Sequence, residues 1–245
     1  MIYFTGDIHG SPWGIKKFCA KVKPTSEDII VLLGDVGANY YDDERDDTVK
    51  RVLAKLKPTI LCVHGNHEIR PWNIEGYRQK EWNGGKVWFQ EQYPTLLFAA
   101  DGEIFTLNGL RYLVIGGAYS VDKFWRLRSG GWWPDEQPSS QIKAYIERQI
   151  QEHTIDVVLS HTCPFRYEPI EMFLPIVDQS TVDASTEHWL DKIEQSLQYK
   201  AWYCGHWHTD KRIDKFHFLY HSFESDEWLH PETEVSHEES FAQNQ

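Results

Sequence analysis

The sequence predicts an α/β fold of two packed β-sheets with helices on the outside, and three observations predict it. Short continuous apolar runs alternate with stretches of helical periodicity towards both ends of the chain, hairpin signals occupy the middle, and no Pro/Gly/Ser linker or internal repeat divides the 245 residues. A chain of this length buries ample core as one α/β domain.

In chain order, "MIYFTGD" is a short apolar strand ended by Gly-Asp. Ile15, Phe18, Cys19 and Val22 follow at i, i+3, i+4 and i+7 and predict a helix. "DIIVLLGD" is the continuous apolar strand expected where both faces are buried. An acidic loop leads to a second helix on Val49, Val52, Leu53 and Leu56, and "TILCVHGN" is the next strand. This β-α-β-α-β order argues for a largely parallel sheet.

From about residue 71 the character changes, with six of the eleven tryptophans falling between Trp72 and Trp133. Asp101-Gly102 and Asn108-Gly109, each flanked by apolar residues, predict an antiparallel meander. The α/β rhythm then returns with a helix on Ile142, Tyr145, Ile146, Gln149 and Ile150, followed by strand "TIDVVLSH". A helix around Trp189, Leu190, Ile193 and Leu197, strand "KAWYCGHWH" and the β-rich "FHFLYHSF" complete the pattern.

Net charge is −12, but its distribution is uneven. Residues 224–245 carry seven acids and no Lys or Arg and are expected to be a disordered tail, while "DDERDD" at 42–47 nets −4. The acidic balance disfavours long nucleic acids and anionic membranes, though a local basic pocket stays possible. Cys19, Cys62, Cys163 and Cys204 lie far apart without CxxC spacing and read as reduced thiols. No secretion signal is expected, since "MIYFTGD" already reads as a strand running into a turn, and no apolar run approaches the roughly 20 residues of a membrane span. A cytoplasmic location is expected.

The chemistry collects at strand ends. "GDIHG" gives Asp7 and His9, "GDVG" gives Asp35, "GNHE" gives Asn66 and His67, "LSHTCP" gives His161, and "GHWH" gives His206 and His208. Any one of these is an ordinary turn or cap residue. Turn chemistry alone would supply Gly, Pro, Ser and Asn rather than five histidines, and ligands of α/β sheets bind beyond the carboxyl ends of the strands. Carboxylate, imidazole and an amide oxygen suit Mn, Fe or Zn rather than Ca or a thiolate site. Seven such groups exceed one tetrahedral ion. Two ions about 3.5–4 Å apart sharing a carboxylate would use them all, and the hydroxide they generate could attack phosphorus in line.

The ordered set "GDIHG", "GDVG", "GNHE", "SH" and "GHWH", spanning roughly residues 5 to 208, resembles the calcineurin-like metallophosphoesterases, with motifs partly like the Ser/Thr protein-phosphatase and diadenosine-tetraphosphatase branch. The resemblance implies a four-layer α-β-β-α sandwich, two mixed β-sheets flanked by helices, over residues 1–223, with an aromatic-rich substrate-rim insert at about 71–139. It implies that Asp7, His9, Asp35 and His208 hold one ion, and that Asp35, as the bridge, Asn66, His161 and His206 hold the other. Two divalent transition-metal ions are expected, Mn favoured over Fe or Zn. His67 would protonate the leaving-group oxygen, for which an imidazole near neutrality is suited.

The phosphatase branch follows its second Gly-Asp with an acid and a phosphate-clamping Arg, where this chain has Ala38 and Asn39. Whether His67 has a carboxylate partner is therefore open at this point, and the phosphate clamp must come from elsewhere. Arg70 is one candidate for the clamp. Asp122, Arg126 and Arg128, among Trp125, Trp132 and Trp133 in residues 116–139, are the others, since guanidinium fits phosphate bidentately and aromatic faces stack on rings. The same tryptophans would serve equally to cap the core. His64 reads as a packed core histidine or a supporting residue.

The expected activity is hydrolysis of a phosphate monoester or small-molecule phosphoanhydride by a metal-bound hydroxide, on a phosphorylated small molecule, a nucleotide or a phosphoprotein. A phosphodiesterase or nuclease on the same metal site is the alternative, and a non-catalytic interaction scaffold of the same fold a lesser one.

Overall fold

The computed structural model describes residues 1–230. In chain order the elements are β1 (Ile2–Thr5), α1 (Trp13–Val22), β2 (Ile29–Leu32), α2 (Glu44–Leu53), β3 (Thr59–Cys62), β4 (Arg78–Trp82), β5 (Gly85–Phe89), β6 (Leu96–Ala99), β7 (Ile104–Leu107) and β8 (Leu110–Ile115). There follow α3 (Lys123–Ser129), α4 (Ser140–Glu152), β9 (Val157–Ser160), α5 (Ser185–Ser196), β10 (Ala201–Cys204), β11 (Lys211–Ile213), β12 (Phe216–Phe218) and β13 (Glu224–Ser225). Among these residues no helix is long and apolar enough to cross a membrane.

Two mixed sheets result, ordered β13-β1-β2-β3-β6-β5-β4 and β11-β12-β10-β9-β8-β7. The centre of each is parallel, β1-β2-β3-β6 in one and β12-β10-β9-β8 in the other, with antiparallel strands at the edges. The period-2 alternation of a strand explains why the central runs are apolar throughout. Phe4, Val31, Leu61, Leu159 and Tyr203 point into the core between the sheets. Their neighbours Ile30, Ile60 and Cys62 face outward beneath Ile15, Val49 and Leu53 of α1 and α2. Val158, Trp202 and Cys204 face outward beneath Ile146, Leu190 and Ile193 of α4 and α5. The result is the four-layer sandwich that the sequence predicts.

Three expectations are corrected. Asn108-Gly109 does turn the β7–β8 hairpin, whereas Asp101-Gly102 makes none: β6 and β7 lie in different sheets. That segment is tied to β8 instead, because Gly102 N–H donates to the Val114 carbonyl at 2.8 Å and Asp101 accepts from Gly116 N–H at 2.9 Å. A hairpin signal of the same kind, Asn83-Gly84, joins β4 to β5. Residues 71–139 are accordingly no insert, since they supply β4 to β8 of both sheets. Finally, the expected tail starts too early at 224: β13 pairs with β1, and buried Asp226 accepts from Ile2 N–H at 2.9 Å and Asn108 Nδ2 at 2.7 Å. The rest of that tail, 231–245, lies outside the described residues.

Candidate metal centre

Neighbouring strands β1, β2 and β3 of one sheet, and β9 and β10 of the other, all end at the same edge of the sandwich. The turns after them are knitted together: His9 N–H donates to the Asp35 carbonyl at 2.8 Å, and Gly10 N–H to Val36 at 2.9 Å. His9, Asp35, His206 and His208 all adopt left-handed backbone, at φ of 44°, 47°, 64° and 48°. A non-glycine residue held there costs of order 1 kcal/mol or more, and such positions cluster at functional sites. The motif glycines have a packing reason. A Cβ on Gly65 would stand 2.1 Å from Asp35 Oδ1, and one on Gly205 would stand 2.3 Å from Asp7 Oδ1, so each glycine is the gap a carboxylate from another strand fills.

Among the described residues two groups of ligand atoms emerge, each within 4.8 Å: Asp7, His9 and His208, and Asp7, Asp35 and His161. His9 Nε2 and His208 Nε2 stand 2.9 Å apart, with Asp7 Oδ2 at 3.9 Å from the first and 3.2 Å from the second. In the second group His161 Nδ1 lies 2.7 Å from the Leu33 carbonyl, which can only accept, so the ring's proton is on Nδ1. Its Nε2 faces Asn66 Oδ1 at 2.8 Å and Asp35 Oδ1 at 3.5 Å. The Asn66 amide turns its Nδ2 to Ser120 Oγ, donating at 2.8 Å, and its oxygen towards His161. His206 Nδ1 approaches the same Asn66 oxygen at 3.1 Å. Carboxylate, amide and imidazole groups converge in this buried site, a donor set that fits divalent metal.

Burial alone would raise Asp35, but the imidazoles of His161, His67 and His9, with the His67 N–H at 2.8 Å, hold it down at about 2. Burial and then His161 push His206 well below the usual imidazole value, keeping it a neutral ligand. Contact with the Asp7 carboxylate raises His208. Buried Glu68 accepts from Val36 N–H at 2.6 Å, and burial and then Asp35 push its carboxyl well up. Glu68 thus braces the Asp35 turn, a role the "GNHE" motif does not announce.

His67 is not among the two ligand groups. Its Nε2 lies 3.9 Å from Asp122 Oδ1, the residue before α3. Burial lowers the His67 pKa most, while Asp35 and Asp122 oppose the shift and Arg126 and His9 add to it. Asp122 therefore stands as a carboxylate beside His67, rather than as the phosphate contact the sequence suggests.

The predicted rim residues divide. Arg126 is 1% exposed; its Nη1 donates to Ser120 Oγ at 2.7 Å and, more weakly, to the Asn66 carbonyl at 3.4 Å, so it braces Asn66 from behind. Arg70 is corrected: it is 1% exposed, ion-paired with Asp101 and bonded to the Asp135 carbonyl at 3.0 Å, so its guanidinium is spent on the scaffold. Arg128 is exposed on α3, and no hydrogen bond or ion pair among the described residues ties it to the cluster. His64 is buried, and burial, Arg70 and His161 in that order push it well down. Sequence reasoning misses Ser120, whose only signal is its place in the Gly-Gly-flanked loop.

The model of the calcineurin-like phosphoesterase family matches residues 1–210 of this chain. No curated protein matched it. Among solved structures, it is similar to phosphopantetheinyl hydrolase (PptH) from Mycobacterium tuberculosis, with a TM-score of 0.50 and 13% identity over 89% of this chain and 87% of that one. It is also similar to TT1561 of Thermus thermophilus, with a TM-score of 0.48 and 16% identity over 84% and 80% of the two chains. At such identities the first likeness is one of fold.

Proposed function

The chain belongs to the calcineurin-like phosphoesterase family, whose members are metal-dependent phosphoester hydrolases, and we propose that it hydrolyses a phosphate monoester or small-molecule phosphoanhydride with His67 as general acid. The observation that carries this is the convergence of His161 Nε2 on Asn66 Oδ1 at 2.8 Å and Asp35 Oδ1 at 3.5 Å, beside the Asp7, His9 and His208 group. Asp7, His9, Asp35 and His208 would hold one cation, and Asp35, Asn66, His161 and His206 the other. Two divalent ions, manganese in preference to iron or zinc, would supply there a lowered water pKa and neutralisation of phosphoryl charge.

The chain's own groups do the rest. His67 delivers a proton to the departing oxygen, and the Asp122 carboxylate at 3.9 Å favours its protonated form against burial. Ser120 and Arg126 fix the Asn66 amide so that its oxygen faces the site. The substrate is a phosphorylated small molecule, a nucleotide or a phosphoprotein, in keeping with a net charge of −12 that disfavours long nucleic acid. A cytoplasmic setting fits four unpaired cysteines.

The test is a side-by-side assay of the manganese-loaded chain on a monoester, a diester and a dinucleoside polyphosphate, with His67→Ala as control. Monoester or polyphosphate cleavage that collapses in the variant supports the reading. Preferential diester cleavage replaces it with the phosphodiesterase alternative.

A further inference from the structure

Beside the metal centre runs a cleft the chemistry above does not use. Its inner part, about 520 Å³, opens on His9 and His67 and is walled by Tyr40, Tyr41 and Arg45. Its outer part, about 530 Å³, shares those three residues and adds Trp125 and Trp133. The two parts are neighbours across these shared residues, and each is of the size that holds a small organic molecule, roughly 300–1,000 Å³. A group in the inner part would lie where an ester oxygen protonated by His67 departs.

The walls are aromatic and held in place. Tyr40 meets Tyr41 edge-on at 4.7 Å between ring centroids and Trp133 at 5.4 Å. Gly131 lets it do so, since a Cβ there would stand 2.5 Å from the Tyr40 hydroxyl. Buried Arg126 backs the rings, 5.8 Å from Tyr40 and 5.5 Å from Trp133. Tyr41 and Trp125, by contrast, are 49% and 66% exposed, large rings left facing solvent at the cleft. The charge of the wall is the second observation. Arg45 is the sole Lys or Arg among the described residues lining either part, and it is already bonded to Asp43 at 2.6 Å and laid over the Tyr41 ring at 3.3 Å. The 42–47 segment that carries it nets −4 with Arg45 included, and its Asp46 lines the inner part, a wall that disfavours a second anionic group.

We propose that this cleft is the leaving-group site, and that it takes a planar aromatic group bearing no further phosphate. The proposal rests on the phosphoesterase reading and narrows its substrate to monoesters whose alcohol carries a flat ring, either a nucleobase or a simple aryl group. Stacking on exposed Tyr41 and Trp125 gives such substrates a preference of about tenfold over ring-free ones.

The test compares kcat/KM within two matched pairs on the manganese-loaded chain: adenosine 5′-monophosphate against ribose 5-phosphate, and benzyl phosphate against ethyl phosphate. Tryptophan fluorescence with adenosine and with benzyl alcohol reads occupancy of the cleft without any hydrolysis. The expected result is a ring preference of about tenfold in at least one pair, falling towards one in Tyr41→Ala and Trp125→Ala, with adenosine triphosphate a poorer substrate than the monophosphate. Preference in the first pair alone identifies a nucleobase, and in the second alone a simple aryl group. Equal rates within both pairs, a ratio unmoved by either substitution, or preferred triphosphate cleavage overturns the proposal. Should no ester turn over, the phosphoesterase reading fails by itself, and ring binding that Tyr41→Ala abolishes, or its absence, still decides the cleft.

Discussion

Ser120→Ala removes one oxygen from a site where two buried donors depend on it. Asn66 Nδ2 reaches that oxygen at 2.8 Å and Arg126 Nη1 at 2.7 Å, and all three residues are 1% exposed. Each buried donor left without an acceptor costs about 1–3 kcal/mol, the guanidinium towards the upper end, so the metal-free chain should lose about 2–4 kcal/mol. For a chain of this size that lowers Tm by roughly 5–12 °C. The functional effect is separate. With its amide unanchored, Asn66 no longer holds its oxygen towards His161 and His206, and removing such a supporting partner costs about 10–100-fold in metal affinity. Manganese titration followed by calorimetry, with Tm measured on the same metal-free samples, reads both quantities. A folded variant whose manganese affinity stays within about twofold of wild type would refute the reasoning, because Asn66 would then either not be a ligand or not be oriented through Ser120.

Three further outcomes are expected. His67→Ala should slow esters with poor alkyl leaving groups by about 10²–10⁴-fold and activated aryl esters far less, read as the slope of log kcat against leaving-group pKa; an equal loss on both would remove His67 from the acid role. Gly205→Ala, whose methyl would stand 2.3 Å from Asp7 Oδ1 and 2.9 Å from the Leu33 carbonyl, should displace Asp7 and abolish turnover, and an active variant would contradict the packing account. Glu187 is raised by burial to about 7 from an ordinary value of 4.5. Its folded form favours the proton, so its contribution is fully present below pH 4.5 and is lost as pH rises through about 7. Glu187→Gln should therefore be more stable than wild type at pH 8, by as much as about 3 kcal/mol in urea unfolding, and the difference should shrink towards pH 5. A difference independent of pH would contradict it.

The centre of the fold is legible in the sequence because burial on both faces leaves an unbroken signature: strands such as "IIVL" and "TILC" have no solvent side. The seven proposed ligand positions are legible for a related reason, since Asp, Asn and His at the ends of such strands serve no packing purpose. What the sequence conceals is pairing. Asp101-Gly102 and Asn108-Gly109 look alike locally, yet only the second is a hairpin, and the difference lies in Asp101 being claimed by Gly116 and Arg70 from distant segments. Those same bonds withdraw Arg70 from any phosphate. Asp122 beside His67, and Ser120 behind Asn66, depend on how α3 docks, which no local pattern encodes.

The most direct test of the central claim is the number of metal ions per chain in the reconstituted protein, measured with His9→Ala and His161→Ala alongside the unaltered sequence. The account predicts two ions in the unaltered chain and one in each variant, with hydrolysis lost in both. A single ion in the unaltered chain, or two ions persisting in either folded variant, would contradict it.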